Sequence, residues 1–236
     1  MAGLVAIHQP NFFPWLGYFD KIRKADAFVF LDRVDYPRAG SGSMGSWCNR
    51  VRLAIQGQPQ WVSCPVLRMP LGSPIAQARI DGRQPWQTKL LKTLEANYRK
   101  APQYKPALDF LEPLIRSAEI NLADFNIAAI RAIADRLGLS TRFARQSELA
   151  CSGSATDLLV SIVTAAGGDA YLAGGGATGY QLDHVFGENG QTLVPQNFIP
   201  APYGDGARFL PGLSVIDYLM WDGRPLHDAF PERAHV

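Results

Sequence analysis

Two short apolar runs, separated by an amphipathic segment, open the chain and constrain its fold. Residues 3–7 (GLVAI) and 27–31 (AFVFL) have the continuous apolar character of strands buried on both faces. Apolar residues at intervals of three and four positions between them predict a helix with Pro14 in its first turn. These residues are Trp15, Leu16, Phe19, Ile22 and Ala25. A strand, a helix and a strand in this order favour a parallel sheet of the α/β class.

The remaining chain adds a hairpin, a helical middle and further strands. Residues 47–55 and 60–66 are strand-like and flank a turn at 56–59, which predicts a small inserted β-hairpin. Apolar stripes between residues 86 and 137 predict a helical middle segment, and residues 169–173 a strand that ends at a glycine run. Leu193 and Val194 indicate a last strand, and residues 213–220 a short terminal helix. We therefore expect one α/β domain over residues 1–236, with a mainly parallel central sheet flanked by helices.

Composition narrows the class of protein. The 236 residues are 47% hydrophobic and 19% charged, which is typical of a globular protein. Lys and Arg number 23 against 21 Asp and Glu, so the net charge of +2 gives no indication of a nucleic-acid partner. Neither a signal peptide nor an apolar run of membrane-spanning length is visible, and we expect a cytoplasmic protein with no membrane span. The three cysteines lack CxxC spacing and no HExxH occurs, which favours reduced thiols and no metal site.

Gln9 and Asp32 follow the two predicted N-terminal strands. A right-handed crossover places the carboxyl ends of both strands at one edge of the sheet, where α/β proteins bind their ligands. The Gln9 amide can donate and accept hydrogen bonds, so Gln9 is a substrate-binding candidate; the alternative is that it satisfies loop backbone groups. Asp32 is a catalytic candidate because a carboxylate can accept a proton or hold a sugar hydroxyl; its alternative role is loop capping.

His8 is the second catalytic candidate. An imidazole can act as a general base near neutral pH, although a histidine beside an apolar strand is often a hydrogen-bonded structural residue. Cys48 would act as a nucleophile paired with His8 only if its pKa were lowered, and sequence adjacency does not indicate this.

Asn49 and Arg50 follow a glycine-rich stretch and are further substrate-binding candidates. A planar guanidinium can bind phosphate or carboxylate through two parallel hydrogen bonds. The alternative is that Arg50 is a solvated surface residue.

Gly174 and Gly175 follow a predicted strand and complete the candidate set with two tyrosines. Their backbone N–H groups could face an anion, although the run GGG is neither a GxGxxG nor a Walker motif. Tyr180 and Tyr203 are candidate substrate contacts, for which aromatic packing is an equally good explanation.

Several motifs together resemble the WbqC-like protein family. They are HQPNFFPWLGYFDKI (8–22), FVFLD (28–32), WCNR (47–50), TDLL (156–159), DAYLAGGGATGY (169–180) and FLPGLSVID (209–217). The similarity extends in order from residue 5 to about residue 220. The family positions carried onto this chain are Gln9, Pro10, Pro14, Gly17, Tyr18, Asp32, Asn49, Arg50, Asp157, Tyr180, Tyr203, Ser214 and Asp217.

This resemblance implies a context, bacterial surface-polysaccharide and particularly O-antigen biosynthesis, without fixing a reaction. We expect a transferase that moves an acyl or aminoacyl group onto an amino group of an activated sugar or related amine. Its small-molecule substrate would be a nucleotide-sugar or an acyl-carrier thioester. Nucleotidyl or glycosyl transfer and a non-catalytic binding or scaffold role are the alternatives, and cofactor and oligomeric state stay open. The family often has other residues where His8 and Cys48 stand, which weakens chemistry based on that pair.

Overall fold

The computed structural model describes residues 3–37, 46–174, 180–204 and 206–229, with backbone only for 180–182. The chain divides into two compact units. The sheet unit comprises Met1–Gln9, Gly17–Arg33 and Leu139–Ile199, and the helical unit comprises Pro10–Leu16, Val34–Gly138 and Pro200–Val236. No helix in the described ranges is long and apolar enough to cross a membrane.

The described part of the chain contains seven strands and eight α-helices. In order they are β1 (Leu4–His8), α1 (Leu16–Lys24), β2 (Ala27–Phe30), β3 (Arg50–Ile55), β4 (Gln58–Ser63), α2 (Trp86–Tyr98), α3 (Tyr104–Ile115), α4 (Leu122–Arg136), β5 (Arg142–Arg145), α5 (Ala155–Ala165), β6 (Ala170–Ala173), α6 (Tyr180–Glu188), β7 (Thr192–Pro195), α7 (Val215–Trp221) and α8 (Leu226–Ala229).

The sheet unit contains a five-stranded sheet in the order β5-β2-β1-β6-β7. All neighbouring pairs are parallel, and the register places Val5 beside both Ala27 and Tyr171. The chain thus adds strands first on one side of β1 and then on the other, as a doubly wound α/β protein does. The predicted mainly parallel sheet flanked by helices, with a small inserted hairpin, is confirmed.

Apolar side chains cover both faces of this sheet. One face packs β1, β2 and β6 against α5 and α6. The core on that face includes Val5, Ile7, Ala27, Val29, Val160, Ile162, Val163, Ala166, Tyr171, Ala173 and Phe186. On the other face, the Phe28 ring lies 5.2 Å from the ring of Tyr18 in α1 and 6.1 Å from that of Phe143 in β5. The continuous apolar runs at 3–7 and 27–31 reflect this burial on both faces.

The helical unit contains the β3–β4 hairpin with α2, α3, α4, α7 and α8. The segment Pro10–Leu16 belongs to this unit, where buried Phe12 and Phe13 contact the Phe125 ring at 6.1 Å each. Asn126 in α4 is fully buried and donates to the carbonyls of Pro10 and Cys48 at 2.9 and 2.7 Å. These contacts hold the loop after β1 in a fixed path.

Three details differ from the sequence predictions. Pro14 lies before α1, which begins at Leu16. The hairpin turns at Gln56 and Gly57, whose φ values of 52° and 74° suit a tight two-residue turn, so β4 begins at Gln58. β5 was not predicted, because its sequence RFAR is short and polar for a strand of a parallel sheet. The expected single domain over residues 1–236 stays a prediction.

Candidate functional site

The carboxyl edge of the five-stranded sheet gathers four of the sequence-predicted residues of the sheet unit. His8 ends β1, Gln9 follows it, Asp32 follows β2, and Gly174 follows β6. Because β1 leads to β2 on one side and β6 leads to β7 on the other, the boundary between β1 and β6 is a topological switch point. Open α/β sheets bind ligands outside the strand ends at this point. We call this edge between β1 and β6 the switch-point edge.

His8 is held in one orientation at this edge. Its Nδ1 donates to the Gln9 carbonyl at 3.1 Å, and its ring meets the Tyr18 ring at 4.8 Å. Tyr18 Oη donates to the same Gln9 carbonyl at 2.9 Å. A carbonyl can only accept, so Nδ1 carries the hydrogen and Nε2 carries the lone pair. Burial and the charge of Lys21 lower the pKa of His8 to about 3, against the hydrogen bond to Gln9, and the imidazole is neutral near pH 7.

Lys21 brings a positive charge to the switch-point edge, and sequence reasoning missed it. Its side chain reaches from α1 to the Ile7 carbonyl, where Nζ donates at 2.9 Å. The β1–β6 ladder ends with Ala6 beside Leu172, so Ile7 lies just past the last paired position. The residue is 3% exposed, and burial lowers its pKa from 10.5 to about 8. Nζ also lies 5.5 Å from the centre of the Tyr171 ring.

Asp20 neighbours Lys21 in sequence but pairs with other groups. Its carboxylate accepts from Arg23 at 2.9 Å and from Lys24 at 3.1 Å. It also accepts from Gln196 Nε2 at 3.0 Å, and Lys24 donates to the Gln196 carbonyl at 2.9 Å. Two cations of α1, Arg23 and Lys24, therefore pair with this carboxylate.

Asp32 is 2% exposed and lies at the β2 side of the same edge. Its two carboxylate oxygens accept from Ser147 N at 3.0 Å and from Ser147 Oγ at 2.5 Å, just after β5. The predicted loop-capping role of Asp32 therefore has a visible partner, while its predicted catalytic role stays a prediction.

Asn49 and Arg50 belong to the helical unit. The Asn49 amide donates to the Cys64 carbonyl at 2.9 Å and so joins the two strands of the hairpin. The Arg50 guanidinium lies 4.3 Å from the centre of the Trp61 ring, and that of Arg52 lies 4.9 Å from it. The aromatic ring orders both cations, which sequence spacing alone did not predict.

Tyr203 lies in a buried polar cluster of the helical unit. Its hydroxyl donates to Asp217 at 2.5 Å, and its ring packs edge-on against Tyr218 at 5.2 Å. Burial raises the pKa of Asp217, and the hydrogen bonds from Tyr203 and Tyr98 act in the opposite direction. These contacts are those of a structural tyrosine, and its predicted substrate contact stays a prediction.

Cys48 does not have the surroundings of a nucleophile. It is fully buried, and burial raises its pKa to about 12 even though Ser46 hydrogen bonds to it. The thiol is therefore protonated at physiological pH.

Two candidates fall on residues that are described only in part or not at all. Gly175 lies outside the described residues, and Tyr180 opens α6 with a side chain outside the described part. His8, Gln9, Asp32 and Gly174 thus share one sheet edge, whereas Asn49, Arg50 and Tyr203 belong to the other unit. Lys21 lies between Asp20 and Ile22 in the sequence, and no sequence signal indicates that its side chain is buried.

The parallel sheet with its switch point defines an α/β protein of the doubly wound class. A model of the WbqC-like protein family matches residues 9–228, and the chain belongs to that family. It is also 31% identical, over 226 residues that cover 92% of each chain, to an uncharacterized protein of Mycobacterium tuberculosis. No solved structure matches the chain. The predicted resemblance is therefore confirmed.

Proposed function

We propose that the protein is a transferase of surface-polysaccharide or related glycoconjugate biosynthesis that binds an activated sugar or related amine at the switch-point edge. The observation that carries this proposal is the strand order β5-β2-β1-β6-β7, which brings the ends of β1 and β6 side by side. His8, Gln9 and Gly174 are the residues at those ends. The glycan context comes from the resemblance to the family.

The proposed reaction is transfer of an acyl or aminoacyl group to an amine. The amine nitrogen attacks the carbonyl carbon of an acyl-carrier thioester, a C–N bond forms, the C–S bond breaks, and the thiol leaves. The amine loses one proton, which His8 Nε2 or the Asp32 carboxylate accepts and returns to the leaving thiolate. The Nδ1 hydrogen bond to the Gln9 carbonyl places the lone pair of the ring on Nε2, and this supports the role for Nε2. The buried, protonated Cys48 supports direct transfer rather than a cysteine-linked intermediate.

Gln9 stays a proposed substrate-binding residue of the sheet unit, and Asn49 and Arg50 stay proposed substrate-binding residues of the helical unit. Gln9 lies at the switch-point edge, and its amide can orient a sugar hydroxyl or amine. The ordered guanidinium of Arg50 supports binding of a phosphate or carboxylate.

Nucleotidyl or glycosyl transfer is the second candidate. The same strand order favours it, because doubly wound sheets bind nucleotides at the switch point. The released product separates the two candidates: acyl transfer releases a thiol, whereas glycosyl transfer from a nucleotide-sugar releases a nucleoside phosphate.

A ligand screen followed by a turnover assay tests the proposal. Nucleotide-sugars, amino sugars and acyl-carrier thioesters are added during thermal unfolding, and a ligand at 100 times its Kd should stabilise the protein by about 2.7 kcal/mol. Donor and acceptor pairs that bind are then assayed for thiol release. If His8 Nε2 is the proton acceptor, His8→Gln should abolish turnover and leave ligand binding intact.

His184→Gln is the matched control, since His184 is an exposed histidine of α6 that pairs with Glu188. Equal loss of turnover in both variants, or full turnover in His8→Gln, would contradict the role of His8. Binding by the wild-type protein with no turnover of any pair would favour the non-catalytic alternative.

A further inference from the structure

We propose that Lys21 is the anion-binding residue of the switch-point edge, and that the substrate presents a phosphate or diphosphate group to its ammonium. The inference rests on the proposed function for the location of the substrate, and it adds the chemical class that the substrate must have. Two neighbouring features support this inference: the buried ammonium of Lys21 lies beside the end of β1, and Gly174 follows the end of β6.

The ammonium of Lys21 lacks a countercharge among the described residues. It has three N–H donors, and the Ile7 carbonyl accepts one of them at 2.9 Å. No described carboxylate forms an ion pair with it, and burial is the cause of its lowered pKa. A buried charge is costly unless an opposite charge or several hydrogen bonds compensate for it. A bound anion would supply both.

The carboxylate that neighbours Lys21 in sequence is already engaged. Asp20 accepts from Arg23, Lys24 and Gln196, and its carboxylate is directed to those groups. The Tyr171 ring, at 5.5 Å from Nζ, compensates the charge only weakly. Lys21 thus has no ion pair among the described residues, and a phosphate, which carries up to two negative charges at pH 7, would compensate its charge more strongly than a singly charged carboxylate.

Gly174 lies beside this ammonium and has no close neighbour among the described residues. A Cβ added there would lie 3.9 Å from Lys21 Nζ and 3.9 Å from Gln196 Oε1, which is ordinary contact distance. Any larger side chain would therefore extend into the space next to the charge. Gly174 is not among the described glycines with positive φ, so its backbone conformation does not require glycine. A small residue at this position would let a ligand approach the ammonium.

A purely structural role for Lys21 is the competing explanation. Its ammonium would then serve only to hold α1 to the Ile7 carbonyl. Lys24 offers a direct comparison, because it lies on the same helix and also donates to a backbone carbonyl, that of Gln196 at 2.9 Å. The two lysines differ in burial, in ion pairing and in their position relative to the ends of β1 and β6.

Calorimetric titration with inorganic pyrophosphate tests the inference on the full-length protein, at pH 7 and low salt. Lys21→Met should weaken pyrophosphate binding by about 10- to 100-fold, the effect of one hydrogen bond to a charged group. Lys24→Met, the matched control, should weaken it by about fivefold or less, as for a part-exposed ion pair. Gly174→Val keeps both charges but fills the space beside Nζ, and it should also weaken binding.

The outcomes are distinct. Pyrophosphate binding that is unchanged in Lys21→Met and Gly174→Val, or that does not occur in the wild-type protein, overturns the inference. Competition by acetate as strong as that by phosphate overturns the phosphoryl class. If Lys21→Met loses pyrophosphate binding while the wild-type protein transfers no group from any donor, the inference stands and the proposed transferase function fails. If transfer occurs and is unaffected in Lys21→Met, the proposed function stands and the inference fails.

Discussion

Replacement of Lys21 by methionine should change the pH dependence of folding stability in a defined direction. The folded protein holds the pKa of Lys21 at about 8 against an ordinary value of 10.5. Each pKa unit corresponds to about 1.4 kcal/mol, so the charged side chain destabilises the folded state by about 3 kcal/mol at pH 7. Methionine removes this penalty but leaves the Ile7 carbonyl without its donor, which costs about 1 to 3 kcal/mol. These two effects oppose each other at any single pH, so the pH dependence of the unfolding free energy tests the charge of Lys21 more directly than stability at one pH.

The sign follows from proton binding. Between pH 8 and 10.5 the unfolded chain holds a proton on Lys21 that the folded protein has released, so the free energy of unfolding of the wild-type protein rises with pH in this window. The penalty is fully present below pH 8 and absent above 10.5. Lys21→Met lacks this rise. The difference in unfolding free energy, variant minus wild type, should therefore decrease by about 2 kcal/mol between pH 7 and 9.5.

Urea unfolding at pH 7, 8, 9 and 9.5 measures this difference. The buffer must be free of phosphate, because a bound anion would compensate the charge of Lys21. Lys24→Met removes a lysine from the same helix and is the matched control. A difference between Lys21→Met and wild type that stays constant across these pH values would refute the reasoning. In that case the Lys21 ammonium would be either exposed to solvent or paired with a countercharge.

Three further changes test other contacts. Ser147→Ala removes a hydroxyl donor from buried Asp32 and should lower the free energy of unfolding by about 1 to 3 kcal/mol in urea titrations; no change would contradict the contact. Tyr203→Phe leaves Asp217 without its hydroxyl donor and should destabilise by a similar amount, about 1 to 3 kcal/mol, while retained stability would argue against the cluster. Cys48, with its pKa raised to about 12, should resist iodoacetamide at pH 8 in the folded protein and react once urea unfolds it; rapid labelling of the folded protein would contradict its burial.

The sequence predicted the sheet edge but not its charge. Apolar runs long enough for strands buried on both faces identified β1 and β2, and the rule for right-handed crossovers then placed Gln9 and Asp32 at one edge. Lys21 could not be found in this way, since a lysine in an amphipathic helix ordinarily faces solvent. Its burial depends on where the end of β1 lies beside β6, which is a tertiary property.

The hairpin and β5 show two other limits. Residues 47–49 look like strand in sequence, yet β3 begins at Arg50, and the Asn49 amide instead joins the two strands through the Cys64 carbonyl. β5 is a short edge strand whose sequence RFAR has one large apolar residue, Phe143, stacked on Phe30 at 5.6 Å. One aromatic residue contributes to the core without producing a recognisable strand pattern.

A crystal structure with a nucleotide-sugar bound tests the central claim most directly. We predict density for the phosphate groups at the switch-point edge, with a phosphate oxygen within hydrogen-bond distance of Lys21 Nζ and the sugar beside His8 and Gln9. Density for the ligand elsewhere, for instance beside Arg50 and Trp61, with the switch-point edge empty, would contradict the account.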